Sequence, residues 1–299
     1  AAAKRPVFYV GGGIVQADVE VDLRELVSLL GAPVASTLMG LGAFPGTDPK
    51  SLGMLGMHGT YEANMTMDDA DLVIALGARF DDRVTNNPDK FSPKATIIHL
   101  DIDPASIDKI VASDIGLLGD ARSVLRALIA DLEGVLNNRS EAEQASHKNA
   151  LQAWWEQIEG WRAQHGLNHK LVPEAGKAIL PQLAIQALYR ATDGDAFITS
   201  DVGQHQMFAA QYYHFDLPRR WINSGGLGTM GFGLPSAMGV QMAQPDAVVA
   251  CVTGEGSFMM NMQELSTCLQ YGLPIKIINL NNQALGMVKQ WQDMQYGGR

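Results

Sequence analysis

The sequence predicts an α/β protein with two parallel-sheet domains. Short apolar runs alternate with helical patterns twice along the chain, and its 299 residues are enough for two buried cores. Alternation of this kind is typical of parallel sheets, because each strand needs a crossover before the next can pair with it. We therefore predict Rossmann-like three-layer domains over residues 1–135 and 181–299, the second truncated at its C-terminus, joined by a linker with a helix over 136–180.

The first domain is predicted from β-rich apolar runs that end in glycine or acidic residues. Between them, leucines and valines recur at helical spacing. The predicted strands are Pro6–Val10, Pro33–Thr37, Asp71–Leu76 and Ala95–Leu100, and the predicted helices contain Leu23–Leu30, capped by Gly31, and Val124–Leu132.

The middle of the chain has a different composition. Residues 137–149 are polar and are expected to form a solvated linker. A helix is predicted around Trp154, Trp155, Ile158 and Trp161, with the tryptophans as a packing face, and residues 164–180 are expected to form a loop.

The second alternation begins near Leu180. It comprises a helix to Ala191, a helix over Leu234–Met242, and strands at Ala196–Ser200, Val248–Val252 and Ile275–Leu280. Polar or glycine-rich motifs follow these strands, and ligands of open parallel sheets bind at such strand ends.

Charge and composition exclude several classes of partner. The net charge of −10 argues against nucleic acid or an anionic membrane. Cys251 and Cys268 lie in apolar patterns without a CxxC partner, so we expect buried thiols in a cytoplasmic protein. No apolar run reaches about 18 residues, and the N-terminus is unlike a signal peptide. Both termini resemble cuts through a longer protein.

Gly254-Glu255-Gly256 and Asn281-Asn282 each follow a predicted strand. A carboxylate and an amide oxygen from adjacent strand ends suit a hard cation such as Mg²⁺, which often bridges a carboxylate and ligand phosphates. Ser257 and the following helix offer N–H groups to an anion. The alternative is an ordinary βα turn with both side chains on the surface.

Two further motifs follow strands of the second half. Gln204 and His205 could bind phosphate or polarise a carbonyl, although a strand-end histidine can be purely structural. The run Ser224–Gly231 suggests close backbone contact with a ligand, with Met230 as apolar support or as core filler.

Glycines and charged residues also end strands of the first half. Gly11-Gly12-Gly13 is half of a dinucleotide fingerprint. The segment Gly77–Arg83 contains two arginines and two aspartates. Arginine can bind phosphate through two parallel hydrogen bonds, and aspartate can accept hydrogen bonds from ribose hydroxyls. Asp101 and Asp103 add acceptors. The alternative for this cluster is a set of solvated ion pairs.

Together these segments resemble the thiamine-diphosphate enzyme family, in particular its acetohydroxyacid (acetolactate) synthase catalytic subunits. The resemblance runs almost end to end, is weakest over residues 134–180, and is most specific at Gly286–Met294. The matching segments are Val10–Gly13, Leu38–Pro45, Leu52–Asn64, Gly77–Asn86, His99–Pro104, Asp201–Met207, Asn223–Pro235, Gly254–Leu265 and Leu280–Tyr296.

The resemblance implies a middle FAD-binding domain, a pyrophosphate-binding domain and three cofactors. Thiamine diphosphate would be lined by Val202, Gly203, Gln204, His205, Gly228, Met230, Gly256, Ser257, Met287 and Val288, with Gln204, His205 and Met230 closest to catalysis. Mg²⁺ would meet Glu255, Asn282 and the Ala284 carbonyl. A non-redox FAD would lie against Gly11, Gly12, Gly13, Thr37, Leu38, Met57, His58, Gly77, Arg79, Asp81, Arg83, Asp101, Ile102 and Asp120.

The implied reaction is a transferase step that begins valine, leucine and isoleucine synthesis. Pyruvate is decarboxylated and its hydroxyethyl unit passes to a second 2-ketoacid, pyruvate or 2-ketobutyrate, which Arg83 and Trp291 would face. A homodimer or tetramer and a small regulatory subunit are further implications. The alternatives are a non-catalytic cofactor-binding fragment and another thiamine-diphosphate carboligase or decarboxylase.

Two departures from the family pattern carry consequences. The glutamate that activates the cofactor belongs to a domain outside this sequence, so the 299 residues alone are expected to be inactive. Glu255 replaces an expected Asp, and its extra methylene moves the carboxylate about 1.5 Å toward the metal. We therefore expect weakened Mg²⁺ and cofactor binding, because Mg²⁺ tolerates little distortion.

Overall fold

A computed structural model describes residues 3–167, 176 and 178–299. The chain divides into two compact units, Ala1–His169 and Lys170–Arg299, which are described separately. Most of the expected loop after residue 164 lies outside the described residues.

The first unit alternates strands and helices as predicted. Its strands are β1 (Pro6–Val10), β2 (Val34–Ser36), β3 (Ser51–Met54), β4 (Leu72–Leu76), β5 (Thr96–Asp101) and β6 (Ile115–Leu118). Its helices are α1 (Gly12–Ala17), α2 (Glu20–Leu30), α3 (Tyr61–Asp69), α4 (Asp82–Thr85), α5 (Ala121–Asn137) and α6 (Glu141–His165).

The six strands form one parallel sheet in the order β3-β2-β1-β4-β5-β6. The winding reverses between β1 and β4, as in dinucleotide-binding folds. An apolar cluster packs on each face of the sheet. All five residues of β1 are buried, as expected for a strand covered on both sides. The predicted parallel α/β fold is confirmed for this unit.

Two edge strands, β3 and β6, were not predicted. Strand β6 is apolar apart from Gly116, but its four residues are too few to show a periodic pattern. Gly53 interrupts β3, and its φ of +76° places it in the left-handed region. Both strands depend on pairing with a neighbour rather than on their own composition.

The prediction of a solvated linker over residues 137–149 is wrong. Helix α6 begins at Glu141, where Ser140 and Glu143 form a reciprocal capping box. The first turns of α6 are exposed, which explains their polar composition. The predicted tryptophan packing face is confirmed, because Trp154 and Ile158 are buried in the core of the first unit. Helix α6 therefore belongs to that unit, and the linker is shorter than 136–180.

The second unit contains a smaller parallel sheet. Its strands are β7 (Phe197–Ser200), β8 (Trp221–Ile222), β9 (Val249–Thr253) and β10 (Lys276–Asn279). Its helices are α7 (Pro181–Ala191), α8 (Gln204–Tyr212), α9 (Gly233–Ala243), α10 (Glu255–Asn261), α11 (Leu265–Gln270) and α12 (Gly286–Gln295).

The strand order is β10-β9-β7-β8, and the winding reverses between β7 and β9. Strand β9 is buried throughout, and Cys251 and Cys268 are free buried thiols, as predicted. No helix in the described part of the chain is long and apolar enough to cross a membrane.

Candidate functional site

A cavity of about 690 Å³ opens at the carboxyl ends of the strands of the second unit. It lies where β7 and β9 meet, and the turn after β10 closes one side. This is the position at which open parallel sheets bind ligands, and the volume suits a small organic cofactor.

The predicted thiamine-diphosphate and metal residues all line this one cavity. They are Val202, Gly203, Gln204, His205, Gly228, Met230, Gly256, Ser257, Met287 and Val288, together with Glu255, Asn282 and Ala284. Fold and chain order thus bring together side chains that lie up to 86 positions apart in the sequence.

His205 lies in the first turn of α8 and is 8% exposed. Its ring packs against two glycine backbones: a Cβ added to Gly203 would lie 2.8 Å from Cε1, and one added to Gly254 would lie 2.7 Å from Nδ1. Burial lowers the pKa of His205 to about 4, although Asp201 and Glu255 oppose this shift. The imidazole is therefore neutral near pH 7, and no described residue bonds its buried Nε2 atom.

Asp201 received no role from the sequence, yet it supports this end of the cavity. It is 1% exposed. Its carboxylate accepts hydrogen bonds from the Gly233 amide at 2.8 Å and from the Thr253 hydroxyl at 2.6 Å. It joins the start of α9 to the end of β9, so its charge is satisfied without a ligand. In the sequence, its position directly before the Val202–His205 motif could have indicated that Asp201 belongs to the site.

Two side-chain oxygens of the cavity lining meet at the Ala284 amide. The Ala284 amide donates to Glu255 Oε1 at 2.7 Å and to Asn282 Oδ1 at 3.1 Å. Both oxygens therefore lie close to the same atom, the Ala284 amide nitrogen. No cluster of three His, Cys, Asp or Glu side chains suited to a metal occurs among the described residues. A cation here would depend on one carboxylate plus neutral oxygens, and Mg²⁺ often binds one or two carboxylates plus substrate phosphates.

At Gly256 and Gly286 the backbone itself forms part of the cavity wall, with neighbouring side chains packed close to it. A Cβ on Gly256 would strike the Leu285 side chain, and one on Gly286 would strike Gln204 and Asn282. Met230 Cε approaches the Gly256 position to 3.7 Å. A side chain at either position would require Leu285, or Gln204 and Asn282, to move within the cavity lining.

The apolar wall of the cavity was not predicted. It is formed by Ala178, Ile179, Pro181, Ala184 and Phe208, beside Met230 and Leu285. The one sequence feature that indicates this wall is the apolar face of helix α7.

Trp291 does not belong to the lining of this cavity. It lies on α12 and is 40% exposed. Its neighbour Gln290 does reach the site, because the Gln204 amide nitrogen donates to Gln290 Oε1 at 3.0 Å.

The predicted FAD residues lie at the carboxyl edge of the first sheet. Each follows one of its six strands. Gly11, Gly12 and Gly13 follow β1; Thr37 and Leu38 follow β2; Met57 and His58 follow β3; Gly77, Arg79, Asp81 and Arg83 follow β4; Asp101 and Ile102 end or follow β5; Asp120 follows β6.

The glycines after β1 and β4 meet where the strand order reverses. The Gly13 amide donates to the Gly77 carbonyl at 3.1 Å. A Cβ on Gly13 would lie 2.8 Å from the Gly77 Cα, and one on Gly11 would overlap the Gly77 carbonyl. Close backbone approach explains both glycines.

The charged cluster after β4 consists of exposed ion pairs. Arg83 contacts Asp82 at 2.6 Å, and Arg79 lies 3.7 Å from Asp81. Both arginines are exposed, so the pairs contribute little stability and can exchange for an anionic ligand. Burial, followed by the charge of Arg83, lowers the pKa of His58.

Other predicted residues of this edge have local structural roles. Thr37 Oγ1 accepts from the Gly40 amide at 3.0 Å, and Asp120 caps α5 through the Ser123 amide at 3.2 Å. Asp101 accepts from the Asp103 amide at 2.9 Å, while Ile102 is 71% exposed.

Comparison with known families agrees with both units. Residues 1–128 match the family described as "Thiamine pyrophosphate enzyme, central domain", and residues 201–299 match "Thiamine pyrophosphate enzyme, C-terminal TPP binding domain". The chain therefore belongs to the thiamine pyrophosphate enzyme family.

Within that family, the chain is similar to acetolactate synthase large subunits. It is 58% identical to the acetolactate synthase isozyme 3 large subunit of Escherichia coli K12, over 100% of this chain and 50% of the relative. It is 49% identical to chloroplastic acetolactate synthase 1 of Nicotiana tabacum, over 98% of this chain and 42% of the relative. It is 44% identical to the Mycobacterium bovis acetolactate synthase, over 100% of this chain and 47% of the relative. The chain thus spans about half the length of the curated relatives it matches.

Proposed function

We propose that this chain provides the cofactor-binding part of an acetolactate synthase large subunit. The observation that carries the proposal is the convergence of the predicted thiamine-diphosphate and metal residues on a single cavity. The similarity to acetolactate synthase large subunits over the full chain supports the choice of reaction. The reaction is decarboxylation of pyruvate with transfer of the two-carbon unit to a second 2-ketoacid.

The volume and the lining of the cavity support thiamine diphosphate as its ligand. The apolar wall with Met230 suits the aromatic part of the cofactor, and the buried Nε2 atom of His205 has a hydrogen-bonding position free for a ligand. Gln204, Ser257 and the N-terminus of α10 suit the diphosphate. When bound, thiamine diphosphate supplies the electron sink for decarboxylation, while the chain's residues orient it and exclude water.

Mg²⁺ is the proposed cation of the diphosphate end. Glu255, Asn282 and the Ala284 carbonyl would hold it together with the phosphates. Neutral His205 adds no cationic competitor there, because burial keeps its pKa at about 4.

FAD is proposed as the ligand of the first unit. The strand order β3-β2-β1-β4-β5-β6 and the glycine contact at its reversal point support a dinucleotide. Arg79 and Arg83 could exchange their exposed carboxylate partners for phosphates. Flavin absorbance of the purified protein, with its loss in Arg79→Leu, would test this assignment.

Substrate and partner assignments extend the same proposal. Arg83 and Trp291 would face the second 2-ketoacid, pyruvate or 2-ketobutyrate. A homodimer or tetramer, a small regulatory subunit and a cytoplasmic location are proposed from the family resemblance.

The decisive experiment measures acetolactate from pyruvate by the purified natural protein, with thiamine diphosphate and Mg²⁺ added or removed. We expect product only with both, a large loss in Gln204→Leu, and wild-type rates in the exposed variant Asp246→Asn. Thiamine-diphosphate binding without acetolactate, or with another product, would favour the non-catalytic or the alternative-enzyme hypothesis. A polypeptide of these 299 residues alone should form no product.

A further inference from the structure

A head-to-tail chain of amide hydrogen bonds runs from the cavity lining to Gln290 on α12. The Ala284 amide donates to Asn282 Oδ1 at 3.1 Å, and Asn282 Nδ2 donates to Gln204 Oε1 at 3.1 Å. Gln204 Nε2 then donates to Gln290 Oε1 at 3.0 Å. Each amide accepts on its oxygen and donates from its nitrogen, so each link fixes the orientation of the next side chain.

The last link of this chain anchors helix α12. No residue of α12 is buried, although Met287 and Val288 line the cavity. Gln290 is partly buried, and its bond with Gln204 joins positions 86 residues apart. The bond between Gln204 and Gln290 is therefore a direct polar contact between α8 and α12.

The same link sets the orientation of Gln204. An amide nitrogen carries two hydrogens. One hydrogen of the Gln204 amide is bonded to Gln290, and the amide oxygen accepts a bond from Asn282. The orientation of the second amide hydrogen, in the cavity lining, is therefore fixed. Without an acceptor at position 290, the Gln204 amide keeps its bond from Asn282 but loses the one that holds its nitrogen.

We propose that Gln290 is a positioning residue that acts through Gln204: it docks α12 beside the cavity and holds the Gln204 amide in the orientation a bound anion needs. The docking part stands on this geometry alone. The anion part rests on the proposed function, with the diphosphate of the cofactor as the ligand.

Three variants of the natural full-length protein separate the roles of position 290. Gln290→Leu removes the acceptor, whereas Gln290→Glu keeps one that is at least as strong. Gln295→Leu makes the same exchange at the exposed end of α12. Leu, Glu and Gln have similar helix propensities, so intrinsic helix stability changes little.

Hydrogen exchange of α12 backbone amides without any ligand tests the docking. We expect about fivefold faster exchange in Gln290→Leu, the effect of one lost net hydrogen bond. Wild-type exchange is expected in Gln290→Glu and Gln295→Leu. Unchanged exchange in Gln290→Leu, or equal acceleration in Gln290→Glu, would overturn the proposal even if the protein proves to be an acetolactate synthase.

Calorimetric titration with thiamine diphosphate and Mg²⁺ tests the orientation of Gln204. Gln290→Leu should weaken binding severalfold, and Gln290→Glu should restore it. Equal affinity in wild type and Gln290→Leu would overturn the anion part. If wild type binds no thiamine diphosphate, the proposed function fails together with the anion part, while the exchange result still decides the docking.

Discussion

The imidazole of His205 lies against the backbone of Gly254, whose added Cβ would come within 2.7 Å of the ring Nδ1. This contact joins the first turn of α8 to the end of β9. It ties the diphosphate-binding turn of the proposed site to a buried neutral ring.

Gly254→Ala is expected to destabilise the protein by about 1–3 kcal/mol, because the methyl group overpacks a buried contact. The matched control is Gly239→Ala within α9, where an added Cβ meets nothing within 4 Å. That control should be stabilising by about 0.5–1 kcal/mol, since alanine favours a helix interior. Urea unfolding of both variants gives the comparison, and equal effects would contradict the tight contact.

The buried ring also predicts a pH dependence. The folded pKa of His205 is about 4, below the ordinary value of 6.5. Between these values the unfolded chain binds the proton and the folded chain does not, so the free energy of unfolding falls as pH decreases from 6.5 toward 4. The total contribution is on the order of 3 kcal/mol. His205→Asn should flatten this pH profile relative to wild type, and parallel profiles would exclude a buried neutral His205.

Glu255→Asp is expected to strengthen Mg²⁺-dependent binding of thiamine diphosphate by roughly tenfold. The longer Glu255 side chain reaches the Ala284 amide at 2.7 Å, so cation binding must compete with that hydrogen bond. Calorimetric titration with Mg²⁺ measures the gain. Glu133→Asp, on the exposed surface of α5, serves as the control and should leave the affinity unchanged. The idea fails if Glu255→Asp shows no gain.

Gly11→Ala should destabilise the first unit by more than 2 kcal/mol, because its Cβ would overlap the Gly77 carbonyl and rigid backbone cannot yield. Gly134→Ala in α5 meets nothing within 4 Å and should be neutral or stabilising. Thermal unfolding of each variant compares the two. A tolerated Gly11→Ala would mean that the reversal point of the sheet is looser than its geometry indicates.

Central strands were predictable because they are continuous apolar runs: β1 and β9 are buried along their whole length. Edge strand β6 was not, because four residues with a glycine among them are too short to show a periodic pattern. The start of α6 was missed although Ser140 and Glu143 have the spacing of a capping box, because the polar composition after them suggested solvent.

Some residues of the candidate site were likewise predictable from the local sequence, and others were not. Glycine turns and the acid at 255 follow strands, so local sequence placed them at one edge of the sheet. The partnership of Gln204 with Gln290 depends on how α12 returns over the cavity, and no local pattern encodes it. The roles of the individual residues in catalysis and in FAD binding remain predictions.

Trp154 on α6 donates from its indole nitrogen to the carbonyl of Pro6 at 3.1 Å, across 148 positions of sequence. The first strand of the first unit is therefore completed by the last helix of that unit. Closing such a long loop is slow, because chain entropy must be lost before the contact forms. During synthesis on the ribosome, the core around β1 can therefore be completed only after α6 has emerged.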